Sequence, residues 1–203
     1  MMGKTHIAVG IAASVLVMQP RSFEECILSV VGGSVGGILA DMDILDNGSH
    51  ETLSTQLLAF GMSAALLAAD YFFKLGVCAG ILRNGTMFPT IGALLFAMLY
   101  FAGILTPHRG FTHSLAGMIS YSAAVTLIYP PLVPAFAVGY ASHLMLDLLN
   151  KKKMPIFYPL KRGFCLKLCY ADGIVNKLFL LAGTLVSFVM LSMTLLQLIL
   201  PLL

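Results

Sequence analysis

The amino-acid sequence predicts an all-α, polytopic membrane protein, and three observations lead to this fold class. Of its 203 residues, 59% are hydrophobic and only 10% are charged. The mean hydropathy is +0.92, far above that of soluble domains. The apolar residues are collected into runs that end at turn-forming pairs such as Asn47-Gly48 and Pro130-Pro131, as in helices that cross a bilayer. We therefore expect a single integral membrane domain over residues 1–203, built as a bundle of about five to seven apolar helices.

About seven apolar runs mark these helices in chain order. They cover residues 7–18, 27–40, 53–73, 87–105, 115–129, 132–149 and 174–203. The first two runs are shorter than the roughly 20 residues of a full crossing, so they could form a short hairpin that dips partway into the membrane. In the second run, Gly32, Gly33, Gly36 and Gly37 form two overlapping G-x-x-x-G patterns, which favour close packing of helix backbones.

An up-and-down path through these helices predicts which face of the membrane each loop occupies. One face receives nine basic residues and the other three. The nine are Lys4, Arg109, Lys151, Lys152, Lys153, Lys161, Arg162, Lys167 and Lys177, and the three are Arg21, Lys74 and Arg83. Because basic residues in short loops mark the cytoplasmic side, the nine-residue face should be cytoplasmic. The net charge of +3 favours contact with anionic lipid headgroups and no nucleic-acid partner.

The first candidate functional pair is His143 and Asp147, near the end of the sixth run. Residues four apart lie on one face of a helix, so an imidazole and a carboxylate can point to the same place. They could bind a metal together, or Asp147 could simply accept a hydrogen bond from His143 within the helix.

A second candidate is the segment 108–114, which reads HRGFTHS and joins the fourth and fifth runs. Two imidazoles, His108 and His113, suit a metal, and Arg109 could hold an anionic group with two parallel hydrogen bonds. Arg109 could also be an interfacial anchor. Thr112 and Ser114 could serve as caps of the fifth helix.

The third candidate is the Asp41-x-Asp43 pair at the end of the second run, where both carboxylates can reach one centre only if the helix frays. His6, at the start of the first run, falls on the same predicted face. Ionisable groups are costly at membrane depth, so such a collection usually lines a cavity, forms pairs or binds an ion.

Together these residues predict a metal site. The candidate ligands are His6, Asp41, Asp43, His108, His113, His143 and Asp147, with Arg109 and Asp43 as candidate catalytic residues. Imidazole and carboxylate donors without paired cysteines favour one or two divalent ions, with zinc first and Mn, Fe or Ni as alternatives. The four cysteines are interpreted as apolar filler. Such an ion polarises ester oxygens and acidifies water, which is hydrolytic chemistry.

The same motifs resemble a known family. They are Thr5-His6 before an apolar helix, Asp41-x-Asp43, His108-Arg109-Gly110-x-Thr112-His113-Ser114, and Gly139-Tyr140-x-Ser142-His143-x3-Asp147. In this order they resemble the YdjM-like family of bacterial inner-membrane proteins, described as metal-dependent hydrolases, from about His6 to Asn176. The chain departs from the family pattern at Ala171-Asp172-Gly173, where Thr-Gly-Ser is common, and at Asn176, where an acid is frequent. The resemblance implies an inner-membrane location and a metal site.

Three functions remain open on the sequence alone. The first is a metal-dependent hydrolase at the cytoplasmic interface that acts on a lipid or another phosphoester. The second is a metal or proton transporter, since intramembrane His and Asp residues also mark ion paths. The third is a non-catalytic interaction protein whose metal only joins its helices. The oligomeric state is not predicted.

Overall fold

The computed structural model describes residues 1–42, 50–83, 85–106, 109–160 and 162–202, and the side chains of 50–52 and 202 are not included. Helix accounts for 78% of the chain, and the described residues contain no strand, which confirms the all-α prediction. The eight helices in these ranges are α1 (Gly3–Met18), α2 (Phe23–Leu39), α3 (His50–Phe73), α4 (Val77–Arg83), α5 (Met87–Ile104), α6 (Leu115–Ile128), α7 (Val133–Leu148) and α8 (Ile174–Ile199).

Each of the seven predicted apolar runs forms a helix, but the second is longer than its apolar core suggested. Ser22 caps α2 by accepting a hydrogen bond from the Glu25 backbone N–H at 3.1 Å. At the other end a 3₁₀ turn carries the helix on to Met42, so the apolar stretch Phe23–Met42 has 20 residues, enough to cross a bilayer. The expectation that both of the first two helices are too short is therefore wrong for α2. With 16 residues, α1 does remain below that length.

The short helix α4 was not predicted, and contacts with the side chain of Asp70 in α3 explain it. The two carboxylate oxygens of Asp70, near the end of α3, accept the backbone N–H groups of Val77 at 2.9 Å and Cys78 at 2.6 Å. These N–H groups lack partners within a helix that begins at Val77. A buried acid on the face opposite the candidate ligands therefore acts as a helix cap.

The bundle is arranged around α2, which packs against α1 on one side and α7 on another. The apolar stretch of α2 is 72% buried, whereas the spans of α3, α5 and α8 are 22%, 11% and 11% buried. These outer helices expose large apolar side chains such as Phe72, Phe101 and Phe188. Such a surface suits contact with lipid on the outside of the bundle.

Glycine residues allow the backbones of α1, α2 and α7 to approach closely at the centre of the bundle. A Cβ atom placed on Gly33 would lie 2.6 Å from the Gly10 carbonyl oxygen of α1, and one placed on Gly139 of α7 would lie 2.6 Å from the Gly33 carbonyl oxygen. The G-x-x-x-G patterns of α2 therefore lie where three backbones meet, as the sequence predicted.

Replacing Gly33 by valine should destabilise the bundle, because its side chain cannot fit between the backbones of α1 and α2. Overpacking of this kind costs about 1–3 kcal/mol, and the thermal unfolding midpoint in detergent measures it. The matched control is Gly61→Val in α3, where an added Cβ would meet nothing within 4 Å. Equal midpoints for the two variants would contradict the packing described here.

Candidate metal centre

Five ionisable side chains converge at one end of the bundle, where α1 and α6 begin and α2 and α7 end. His6 lies in the first turn of α1, Asp41 lies in the 3₁₀ turn after α2, and His113 immediately precedes the cap of α6. His143 and Asp147 lie in the last two turns of α7. All five residues are buried, and the three histidines are completely inaccessible to solvent.

The distances among these side chains are short. His113 Nε2 lies 3.4 Å from Asp41 Oδ1 and 3.7 Å from Asp147 Oδ2. His143 Nε2 lies 3.7 Å from Asp41 Oδ1, and His6 Nε2 lies 3.4 Å from Asp147 Oδ1. The His6 and His143 rings stack with their centroids 3.9 Å apart. The spacing brings both carboxylates and all three imidazoles to one small volume.

His143 is oriented by the backbone of α2. Its Nδ1 lies 2.7 Å from the Gly37 carbonyl oxygen, an acceptor, so the proton is assigned to Nδ1 and this nitrogen donates. The lone pair of Nε2 then faces Asp41, and within the described residues Nε2 has no hydrogen-bond donor. A histidine that donates from one nitrogen to a carbonyl and presents the other is the usual arrangement of a metal ligand.

His113 is held by the turn that leads into α6. Residues Phe111–His113 form one turn of 3₁₀ helix, and the Ser114 hydroxyl accepts the Gly117 N–H at 3.1 Å as the N-cap of α6. Tyr140 of α7 donates its hydroxyl to the Thr112 carbonyl, which ties this turn to α7. The cap assigned from the sequence to Ser114 is confirmed. The Thr112 hydroxyl instead lies 3.2 Å from His113 Nδ1.

Asp147 is the most heavily contacted residue of the cluster. Its Oδ1 accepts a hydrogen bond from the amino group of Met1 at 2.5 Å. Its Oδ2 lies 2.9 Å from Arg109 Nη2. Arg109 Nη1 also donates to the Lys152 carbonyl at 2.8 Å. The helix-internal hydrogen bond from His143 considered for Asp147 does not form, since His143 Nδ1 turns to α2. Arg109, expected to hold an anionic substrate group or to anchor the interface, contacts Asp147 of the centre and the Lys152 carbonyl at its rim.

Arg109 also has an unusual backbone. Its φ of +62° lies in the left-handed region, which is unfavourable for a residue with a side chain. In this conformation the guanidinium group contacts Asp147 and the Lys152 carbonyl. Gly110 is the next residue in the chain. The strain lies next to the cluster, where such conformations are often functional.

The donor set fits a divalent cation. Two groups, His6 with Asp41 and His143, and His113 with His143 and Asp147, each offer ligand atoms within 4.8 Å of one another. Ligands about 2.1 Å from a tetrahedral zinc ion lie about 3.4 Å apart, close to the separations found here. His143 belongs to both groups, so the cluster suits one ion with neighbouring carboxylates or two ions that share His143.

Two of the predicted ligands, Asp43 and His108, lie outside the described residues. The other five are brought together. Sequence reasoning missed the amides that support them: Gln56 of α3 donates to the Asp41 carbonyl at 3.0 Å, and Asn176 of α8 accepts the Met2 N–H at 3.2 Å. An amide within an otherwise apolar run is the sequence signal that could have found both residues.

A cavity of about 440 Å³ leads from the surface to the two carboxylates. Its lining includes Met1, Asp41, Arg109, Asp147, Asn150, Lys151, Lys152, Tyr170, Ala171 and Asp172. Lys151 Nζ lies 3.6 Å from the centroid of the Tyr170 ring, a cation–π contact at the rim. The centre is therefore buried but reachable, and basic side chains lie along the way in.

Comparison with known proteins identifies a family for the chain. No curated protein matches the chain, and no solved structure does. The family described as YdjM inner membrane protein matches residues 1–202, almost the whole chain. The match confirms the resemblance seen in the motifs around His6, Asp41, His113 and His143. The chain belongs to the YdjM inner membrane protein family and is an integral protein of the inner membrane.

Proposed function

We propose that the protein is a membrane-embedded, metal-dependent hydrolase, with zinc as the first candidate ion. The observation that carries this proposal is the convergence of three solvent-inaccessible histidines and two buried aspartates beneath a cavity that opens to the surface. Buried imidazoles and carboxylates without such a role are costly in a membrane protein.

The chain's own residues fit distinct tasks in this reaction. His6, His113, His143, Asp41 and Asp147 would hold the ion, which supplies a Lewis acid for an ester oxygen and acidifies water. The hydrogen bond to Gly37 keeps the His143 ring oriented. Because all five ligands are buried, bulk water is excluded from the side of the ion that faces the bundle. Arg109, Lys151 and Lys152 supply positive charge along the approach of an anionic ester.

We place the centre on the cytoplasmic side and favour a lipid phosphoester as substrate. The support is the charge asymmetry of the loops: Lys151, Lys152 and Lys153 follow α7 at the ligand end, whereas Arg21 and Lys74 lie at the other. Ligands at this end of the bundle would lie near the lipid headgroups of that leaflet.

The alternatives have less support. A transporter needs polar groups along the whole path, but Asp70, the acid in α3 far from the centre, serves as the cap of α4. A metal that only joins helices usually has a closed coordination shell, whereas the cavity leaves Asp41 and Asp147 accessible from the surface.

Removal and restoration of the metal tests the proposal. Purified protein would be stripped with a chelator, reloaded separately with Zn, Mn, Fe(II) or Ni, and incubated with a panel of lipid phosphoesters. Release of headgroup or phosphate should be lost on stripping and restored by at least one ion. The control is Glu24→Gln, at the opposite end of α2, which should retain turnover. Failure of every ion to support turnover of any ester would contradict hydrolysis.

A further inference from the structure

A second cavity, of about 710 Å³, lies beside the first, and no role in the metal centre accounts for it. Its size is that of a small-molecule binding site. Within the described residues the lining is mostly apolar, and its polar side chains are those of Thr106, Lys153 and Tyr158. Its apolar part is formed chiefly by Phe111, Pro155 and Leu160. We call this space the apolar cavity, and the space above the metal centre the headgroup cavity.

The two cavities share one wall. Arg109 and Lys152 line the headgroup cavity, and their chain neighbours Gly110 and Lys153 line the apolar cavity. The hydrogen bond from Arg109 Nη1 to the Lys152 carbonyl joins the two segments at 2.8 Å. Arg109, which contacts Asp147, therefore also forms part of the partition between a polar and an apolar compartment.

The wall around the apolar cavity is formed by ordered contacts. Met154 and Phe164 exchange two backbone hydrogen bonds, of 3.0 and 2.8 Å, across the connection between α7 and α8. The Leu115 N–H at the start of α6 donates to the Ile156 carbonyl at 2.9 Å, and the Phe111 and Tyr158 rings meet edge to face at 5.9 Å. The cavity is thus built into the fold, and little ordering free energy is needed to fill it.

The electrostatics of the headgroup cavity suit an anion. Its lining carries three basic side chains, Arg109, Lys151 and Lys152, and the amino group of Met1, against the carboxylates of Asp41, Asp147 and Asp172. Four positive groups thus face three carboxylates, and a bound divalent cation would make the compartment more positive. Next to it, the apolar cavity offers Leu160, Pro155 and Tyr158 to hydrocarbon.

From this juxtaposition we infer that the substrate is an anionic amphiphile: its headgroup enters the headgroup cavity over Asp41 and Asp147, and its hydrocarbon chain occupies the apolar cavity. The inference rests on the proposed hydrolase for the reaction, but the binding mode stands on the two cavities. Each cavity then selects one part of the substrate, and the length of the hydrocarbon chain determines the affinity.

The test compares phosphatidic acids with two oleoyl or two butanoyl chains, measured by equilibrium binding to zinc-loaded and metal-free protein in detergent. The dioleoyl lipid should bind at least about tenfold more tightly. Leu160→Asp, which places a charge in the apolar cavity at a side chain that is 64% exposed, should remove this preference. Its matched control is Leu168→Asp, 70% exposed in the same connection and lining neither the apolar cavity nor the headgroup cavity, which should keep the preference.

The outcomes separate this inference from the hydrolase proposal. Equal binding of the two chain lengths, or the same loss in both aspartate variants, would overturn the inference even if the protein hydrolysed a short-chain ester. A chain-length preference that Leu160→Asp abolishes in metal-free protein would support the inference even if no ion gave turnover. A thermal unfolding midpoint of Leu160→Asp equal to that of Leu168→Asp shows that the fold is retained.

Discussion

Replacing His143 by alanine should weaken zinc binding by more than about 100-fold, because even residues that only support a ligand contribute 10–100-fold to metal affinity. The imidazole belongs to both candidate ligand groups, and its Nδ1 is already committed to the Gly37 carbonyl. Its loss removes a shared donor from either a one-ion or a two-ion arrangement. Competition with a chromogenic chelator measures the change in affinity.

The matched control for this variant is Met145→Ala. Met145 lies two residues further along α7 and is 68% exposed on the lipid side, so its truncation should leave zinc affinity unchanged. Zinc affinity would be measured on the monodisperse fraction of each variant. The thermal unfolding midpoints of the two variants would be compared to show that both are folded. Wild-type zinc affinity in folded His143→Ala would remove His143 from the centre.

Replacing Arg109 by glutamine should lower the stability and the turnover of the protein but leave its metal bound, in contrast to His143→Ala, which should lose the metal. Arg109 contacts Asp147 at 2.9 Å with a side chain that is only 11% exposed. Leaving a buried charge without its partner costs about 3–5 kcal/mol, and the Met1 amino group that remains beside Asp147 reduces this cost. The unfolding midpoint of the metal-free protein should therefore drop, by less than a fully unpaired Asp147 would cause. A cation near Asp147 is also removed, which favours retention of a divalent ion.

Two further variants make the Arg109 result specific. Arg109→Lys should not restore turnover, because one ammonium group cannot reach both Asp147 and the Lys152 carbonyl as the planar guanidinium does. Arg162→Gln changes an exposed arginine in the connection between α7 and α8 and should leave midpoint and turnover unchanged. Loss of the metal in Arg109→Gln would show that Arg109 supports the ligands themselves and does not meet the substrate.

The sequence predicted the helices well because lipid imposes a simple rule on them: apolar runs separated by turn-forming pairs must become helices. It did not predict α4, whose seven residues carry too little pattern and whose cap, Asp70, comes from another helix. It also underestimated α2, since the added 3₁₀ turn ends at Met42, beyond the apolar run.

For the centre, the up-and-down path was enough to place His6, Asp41, His113, His143 and Asp147 at one end of the bundle. The finer contacts depend on tertiary geometry that spacing does not encode. The i, i+4 relation put His143 and Asp147 on one face, yet His143 bonds to α2 and Asp147 to Arg109. The same applies to the partition between the two cavities, which arises only when residues 109–111 meet residues 152–160.

The most direct test of the central claim is X-ray absorption on wild-type protein purified without added chelator and quantified for metal by mass spectrometry. We expect at least one divalent ion per chain, surrounded only by nitrogen and oxygen at about 2.0–2.2 Å, with the outer-shell scattering of imidazole. In His143→Ala the imidazole signal and the metal should both decline. Wild-type protein without a stoichiometric ion, or an ion bound through sulfur, would contradict a centre built from these histidines and aspartates.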